Sequence, residues 1–438
     1  MNPELRRNLW LEFSPHRLIG MPAVLVLVFA LFGSITGSDW RGAVFTAAVW
    51  AFVLLAHFWG TRQASVAVTD EVRERTWDWQ RLSALSPWQM TWGKLFGATS
   101  FAWYGAAVSL LAIVFTAPSE RVDVAWVALA LVASAIALHA AAIAGSLQAS
   151  RKDSRLGQRV GAIAMIPIAF GLLGAFTVPW WQHAHELTWY GRRWEGLHFA
   201  AISALVFAAW GVLGALREMS RELEVGALPW ALPAFIVFVA AYAAGFNPPR
   251  GIATLSLFLF AGLATSVVLT YYTLFADLTT LMVARRIATR AAAGDWQRVL
   301  EELPLWVAPL ILALAFAVFI PQTADAEIAG PRFRSMSLYP VAFALLVARD
   351  AGLLVFFALA MKARRVEAAA LLYFVLLWWV IPALLTAVGA KAVAQLIVPF
   401  GLETGGWQAT AIAAVHVAIA WSLVAWRWHR AQDSFARL

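Results

Sequence analysis

The chain has 438 residues, 62% of them hydrophobic and 13% charged. Soluble domains are roughly 45–50% apolar and about 25% charged, so the composition excludes a water-soluble fold and points to a polytopic membrane protein. The formal charge of +8 suits orientation in a bilayer rather than nucleic-acid binding, and the lack of cysteine excludes disulfides, thiolate metal sites and cysteine nucleophiles.

At the N-terminus, Pro3 suits a first helical turn with Asn2 as its cap. Leu5, Leu9 and Phe13 recur every fourth residue, with Glu4, Arg6, Arg7, Asn8 and Glu12 on other faces. Residues 1–17 therefore predict an amphipathic helix along the inner leaflet, turned into the bilayer at Pro15; the alternative is a frayed polar tail. The run after Leu18 is as long as a span, and Gly33 to Ser38 offers no signal-peptidase site, so it reads as a retained helix.

A spanning helix needs ~20 mostly apolar residues. Runs of that kind are Leu18–Ile35, Ala43–Trp59, Leu95–Ala117, Val124–Leu147, Val160–Trp180 and Leu197–Leu216. They continue with Leu228–Phe246, Ile252–Phe275, Leu305–Ile320, Leu338–Met361, Ala368–Val388 and Trp407–Trp426. The expected fold is all-α, with about twelve transmembrane helices. With the N-terminus in the cytoplasm, 24 of the 33 Lys and Arg face inward, 8 face outward, and Arg349 lies within a span. The positive-inside rule then places both termini and the segment Thr69–Lys94 in the cytoplasm.

Asp78-Trp79-Gln80-Arg81, followed by Pro87, returns as Asp295-Trp296-Gln297-Arg298, followed by Pro304. The separation from Asp78 to Asp295, 217 residues, also carries each of the first six runs onto one of the last six. This predicts a parallel six-plus-six repeat. The first six-helix unit covers 18–217 with a cytoplasmic loop at 62–94, and the second covers 218–438 with a loop at 277–304.

Thr69–Lys94 reads as helix, turn, helix. Thr69 and Asp70 are capping types, Glu71 lies near the start, and Pro87 interrupts after Ser86. Trp77, Trp79 and Trp88 suit either an interfacial belt or a protein contact.

The order Glu71-x-x-Glu74-Arg75-Thr76-Trp77-x-x-Gln80-x-Leu82-x-x-Leu85-Ser86-Pro87-Trp88, then Gly93-Lys94, resembles the cytoplasmic loop of type-2 ABC exporter permeases. The amphipathic N-terminal helix and six spans per unit resemble that family too. The resemblance implies that Glu71, Arg73, Glu74, Arg75, Thr76, Trp77, Asp78, Trp79, Gln80, Arg81 and Pro87 form a coupling helix docked on a separate cytoplasmic ATPase. Asp295, Trp296, Gln297, Arg298 and Pro304 would form a second such loop. Where the first copy has Glu74-Arg75-Thr76-Trp77, the sequence repeat aligns Ala291-Ala292-Ala293-Gly294, which implies an asymmetric complex. The family further implies two ATPase subunits holding ATP and magnesium, no cofactor in this chain, export of an amphiphilic, peptide or drug-like substrate, and short re-entrant helices before the sixth span of each unit. Composition fits a bacterial inner membrane.

No Gly-x-x-x-x-Gly-Lys-[Ser/Thr] loop occurs, so ATP hydrolysis is not expected of this chain, and it is not read as an enzyme. Arg349-Asp350, at the centre of the tenth span, is read either as part of a translocation path or gate, or as an ion pair that holds the bundle. His57, His139 and His416 read as packing histidines. His183, His185 and Glu186 have some metal-site character but do not share a helical face. Tyr271, Tyr272 and Asp277 suit interfacial anchoring or a cavity wall. Two other function classes stay open: a gradient-driven secondary transporter with six plus six helices, and a membrane-embedded lipid-processing enzyme.

Overall fold

The computed structural model describes residues 2–35, 37–118, 123–150, 186–226, 228–246, 254–277, 281–323, 339–360, 363–400 and 405–435. Eight helices among them are long and apolar enough to cross a bilayer, or ten if each of two bent pairs is one span. Apart from one short β-hairpin, the described chain is an all-α, multi-pass membrane protein. The predicted run Leu228–Phe246 is a shorter helix than expected, Ala231–Ala244, whose 14 residues fall below a bilayer's thickness. Val160–Trp180 lies outside the described residues.

Two compact units divide the chain, and the main boundary falls between Leu228 and Pro229. The first unit is built around Trp40–Arg73, a continuous 34-residue helix whose middle, Val53–Gly60, is wound as a π-helix. Phe45, Val49 and Phe52 bury against Leu25, Phe29, Ile113 and Leu131. Farther along, Ala64 and Val68 pack with Ile143, Leu147 and Met219. The helices Val124–Ser150 and Gly196–Glu222 meet through Ala133, Ala137, Ala204 and Ala208. Small side chains let backbones approach where lipid supplies no hydrophobic driving force.

Thr69 and Asp70 do not start a helix: they lie inside the segment Thr61–Arg73. Tertiary packing overrides the capping preference here. The Ala64/Val68 face is buried, and the Ser146 hydroxyl accepts from Val68 N–H at 3.2 Å. The helix ends instead at Glu74, where Arg75 takes φ 60° and Thr76 N–H returns to the Glu71 carbonyl at 2.9 Å. Ser86 then caps the next helix in a reciprocal pair with Gln89, at 3.2 and 2.9 Å, so the Ser-Pro step is a capping box.

In the second unit, Ile236, Leu263, Phe316 and Leu354 form the core. The helix Trp296–Glu302 meets Val307–Ile320 at 92°. Pro304 explains the bend, because it cannot donate to a continuing helix and forces Leu303 to an extended ψ of 132°. The Leu305 N–H freed there donates to Asp277 at 3.1 Å. Asp277 thus caps the backbone at this bend.

The turns before the two short loop helices use the same backbone bonds. Glu74, Arg75 and Thr76 donate to Asp70, Val72 and Glu71; Ala293, Gly294 and Asp295 donate to Thr289, Ala291 and Arg290. Gly294, at φ 75°, takes the place of Arg75, a separation of 219 residues rather than the 217 of the repeated tetrapeptide. By backbone, Trp296 therefore corresponds to Trp77, and Glu74-Arg75-Thr76-Trp77 to Ala293-Gly294-Asp295-Trp296. This corrects the alignment drawn from sequence.

The described end of the connection before Gly196–Glu222 is a β-hairpin, Glu186–Trp189 and Arg192–Glu195, not a re-entrant helix. Tyr190 and Gly191, both at positive φ, make the two-residue turn that suits such a hairpin. In the second unit, the connection after Ile381–Ala387 does contain a short helix, Lys391–Ile397.

Candidate functional site

The predicted coupling segment is organised around Lys94, a residue that sequence reasoning treated only as the end of a motif. Its side chain is 1% exposed and donates to Glu4 at 2.9 Å, to Gln80 at 2.9 Å, and to Glu71. Arg7 closes the circuit on Glu71 at 2.5 Å, and Lys94 Nζ also lies 5.4 Å from the Trp77 ring centre. Two cations and two carboxylates therefore join the N-terminal helix Pro3–Glu12, the helix Thr61–Arg73 and the start of the third span. A buried ammonium is tolerated only when its donors are taken up in this way.

The N-terminal helix can reach Lys94 because glycines lie beneath it. A Cβ on Gly93 would come within 2.6 Å of the Glu4 side chain, and one on Gly97 within 2.9 Å of Asn8. Glu4 and Asn8 are the buried positions of the helix, so its inner face is polar, while Trp10 and Leu11 point outward. The expected apolar stripe of Leu5, Leu9 and Phe13 is only partly buried, with Phe13 edge-on to Tyr104 at 5.6 Å. The sequence does carry a signal for this docking: Gly93 and Gly97 stand four apart, opposite Glu4 and Asn8 with the same spacing.

Burial opposes ionisation of Glu4, but the Lys94 ammonium bonded to it, with Arg7 and Asn8, holds its carboxyl below the ordinary value of 4.5. A depressed native pKa gives stability that is present above the unfolded value and lost as pH falls through the native one. Hydrogen-exchange protection of residues 3–12 is therefore expected to stay flat above about pH 5 and to decay on acidification below it. Decay near neutral pH would contradict this assignment.

The predicted coupling residues divide into two faces. Glu71, Trp77 and Gln80 point inward; Trp77 Nε1 donates to Glu222 at 3.3 Å, and Arg81 lies 3.7 Å from the same carboxylate. Arg73, Glu74, Arg75, Thr76, Asp78 and Trp79 are exposed, with Arg73 held to Asp70 at 3.0 Å. Trp79 and Leu82 are 78% and 82% exposed, with Trp88 near them in sequence and half exposed. Pro87 opens the capped helix that leads to Lys94.

In the second loop, Asp295 caps Arg298 N–H at 3.4 Å, Gln297 reaches Glu301 at 3.5 Å, and Arg286 and Arg290 both pair with Glu302. Only Val299 of the helix Trp296–Glu302 is buried, and Trp296 is 63% exposed where its counterpart Trp77 is 4% exposed. The two loops share a turn but not an anchor.

A second polar cluster lies in the interior of the second unit. Arg349 and Asp350, in mid-helix of Tyr339–Ala360, are buried. Arg349 Nε donates to Asp350 at 2.8 Å, while the other carboxylate oxygen accepts from Tyr271 Oη and Trp378 Nε1, each at 2.7 Å. Tyr271 is thus a donor to the ion pair, not an interfacial anchor.

No protein-family model, no curated protein and no solved structure matches this chain. What it can do rests on its own side chains.

His57 and His139 cross-link Trp40–Arg73 to Val124–Ser150: His57 Nε2 meets Ser134 Oγ at 2.7 Å, and His139 Nε2 donates to the Ala56 carbonyl at 2.8 Å. Among the described residues no three His, Asp or Glu gather as metal ligands. His183 and His185 lie outside the described residues, and Glu186 pairs with Arg193 at 3.5 Å. Three buried polar clusters have one member on a π-helix: His57 on Val53–Gly60, Lys94 on Lys94–Ala98, Trp378 on Leu376–Val380. Such windings recur at functional sites.

Proposed function

We propose that this chain is the membrane-spanning subunit of an ATP-driven exporter of the type-2 ABC class, with two six-helix units fused in parallel. Separate cytoplasmic ATPase subunits dock on Thr69–Lys94, and their nucleotide cycle drives the spans. Both termini face the cytoplasm of a bacterial inner membrane, the substrate is amphiphilic, and Arg349 and Asp350 lie on the translocation path. One observation carries this reading. The loop presents Trp79, Leu82 and Trp88 outward while Lys94 binds Glu71 and Gln80 on its inner face and ties them to Glu4 of the N-terminal helix. Outward aromatics on a braced hairpin suit a contact that must transmit force without slipping. The second loop, which lacks a lysine node of this kind, is the weaker of the two docking surfaces.

Affinity-tagged chain purified from its native membrane is expected to retain a P-loop ATPase whose activity it stimulates. Trp79→Ala should weaken that association by roughly 2 kcal/mol, about thirty-fold, as truncated aromatic anchors do. Trp296→Ala should weaken it less. Gradient-dependent transport by the purified chain alone would overturn the proposal and favour a secondary transporter.

A further inference from the structure

Arg349 is 4% exposed, yet its hydrogen bonding is incomplete. Nη2 lies 2.7 Å from Asp350 Oδ1, but only Nε meets that oxygen in hydrogen-bonding geometry. Nη1 and Nη2 have no hydrogen-bond acceptor among the described residues. Asp350 has little more to offer, since its other oxygen already accepts from Tyr271 and Trp378. The guanidinium cannot shed its proton to escape the penalty, and buried donors without acceptors are costly. The far edge of Arg349 is therefore a fork of N–H groups that no acceptor among the described residues takes up in hydrogen-bonding geometry.

The surroundings indicate what fits it. The guanidinium lies 5.3 Å from the Trp378 ring centre, and Trp378 is nearly parallel to Phe400 at 6.4 Å, with Phe343 edge-on at 5.9 Å. His416 lies within electrostatic reach of Arg349 and Asp350. Trp378 and His416 come from the helices Val366–Ala387 and Gly406–Arg430, whose apolar 18-residue stretches are only 11% and 17% buried, against 67% for that of Tyr339–Leu359.

We propose that Arg349 binds an oxyanion, a carboxylate or phosphate group taken on the fork of Nη1 and Nη2, with any attached apolar portion running along Phe343, Trp378 and Phe400. Planar bidentate recognition of this kind is what distinguishes arginine from lysine. The site is read on the chain alone, so it stands or falls separately from the ATPase.

The test uses the purified full-length chain in dodecyl maltoside, with its thermal midpoint titrated against inorganic phosphate, dodecyl phosphate and, as a charge control, dodecyltrimethylammonium. A saturable rise with dodecyl phosphate alone assigns the headgroup of an amphiphile; a rise with both phosphates assigns a free oxyanion. Arg349→Lys should weaken binding at least ten-fold. Trp378→Phe, which leaves the guanidinium in place and serves if the lysine variant does not fold, should weaken it several-fold. No saturable rise with either phosphate, an equal rise with the cationic control, or unchanged affinity in both variants overturns the proposal.

Discussion

Lys94→Met is expected to destabilise the chain by about 3–5 kcal/mol and to release the N-terminal helix, because removing one partner leaves buried carboxylates uncompensated. Glu4 and Glu71 would face Arg7 alone, and Arg7 is itself partly exposed and only 3.8 Å from Glu4 at best. The triple change Glu4→Gln, Glu71→Gln, Lys94→Met should recover much of the loss, since a buried ionic cluster replaced as a whole costs far less than one broken. Gly97→Leu is a separate route to the same release, because its side chain would enter the space of Asn8 without touching a charge. The readout is hydrogen exchange over residues 3–12 together with the thermal midpoint. Full protection of that helix in the Lys94→Met variant would mean that Lys94 is not its anchor.

Apolar runs were legible because their length is a one-dimensional property: a stretch such as Val124–Leu147 has few alternatives to crossing a bilayer. Pro87 was legible as a break for a similar reason, since a proline's effect is local. What escaped was decided by neighbours distant in sequence. Thr69 and Asp70 look like caps until Ser146 and Leu147, more than seventy residues away, hold their helix intact. Glu4 and Asn8 look like the wet side of an amphipathic helix until Gly93 and Gly97 bring Lys94 beneath them. Tyr271 sits near the end of an apolar run, where tyrosines commonly mark an interface, and only packing turns its hydroxyl toward Asp350. The tetrapeptide Asp-Trp-Gln-Arg was a true repetition in sequence. A turn fixed by positive φ at Arg75 and Gly294 nevertheless set the backbone equivalence two residues away.

At the interior pair, Asp350→Asn is expected to be more damaging than Arg349→Met, although each removes one charge. The reason is the difference between the survivors. When arginine is lost, Asp350 keeps two donors, Tyr271 and Trp378, and can also neutralise itself by taking up a proton. When aspartate is lost, the guanidinium stays charged at any accessible pH, in a span interior, with its counterion gone. Breaking a buried pair typically costs about 3–5 kcal/mol, so Asp350→Asn belongs at the upper end of that range and Arg349→Met at or below the lower end. The double variant should be more stable than Asp350→Asn alone, giving a coupling of about 1–3 kcal/mol in a double-mutant cycle followed by denaturation in micelles. Additive losses would show that the two side chains do not act as a pair. Transport measured on the double variant then separates the roles left open by sequence: an ion pair that only holds helices together leaves transport intact once stability is restored, whereas a group on the substrate's route does not.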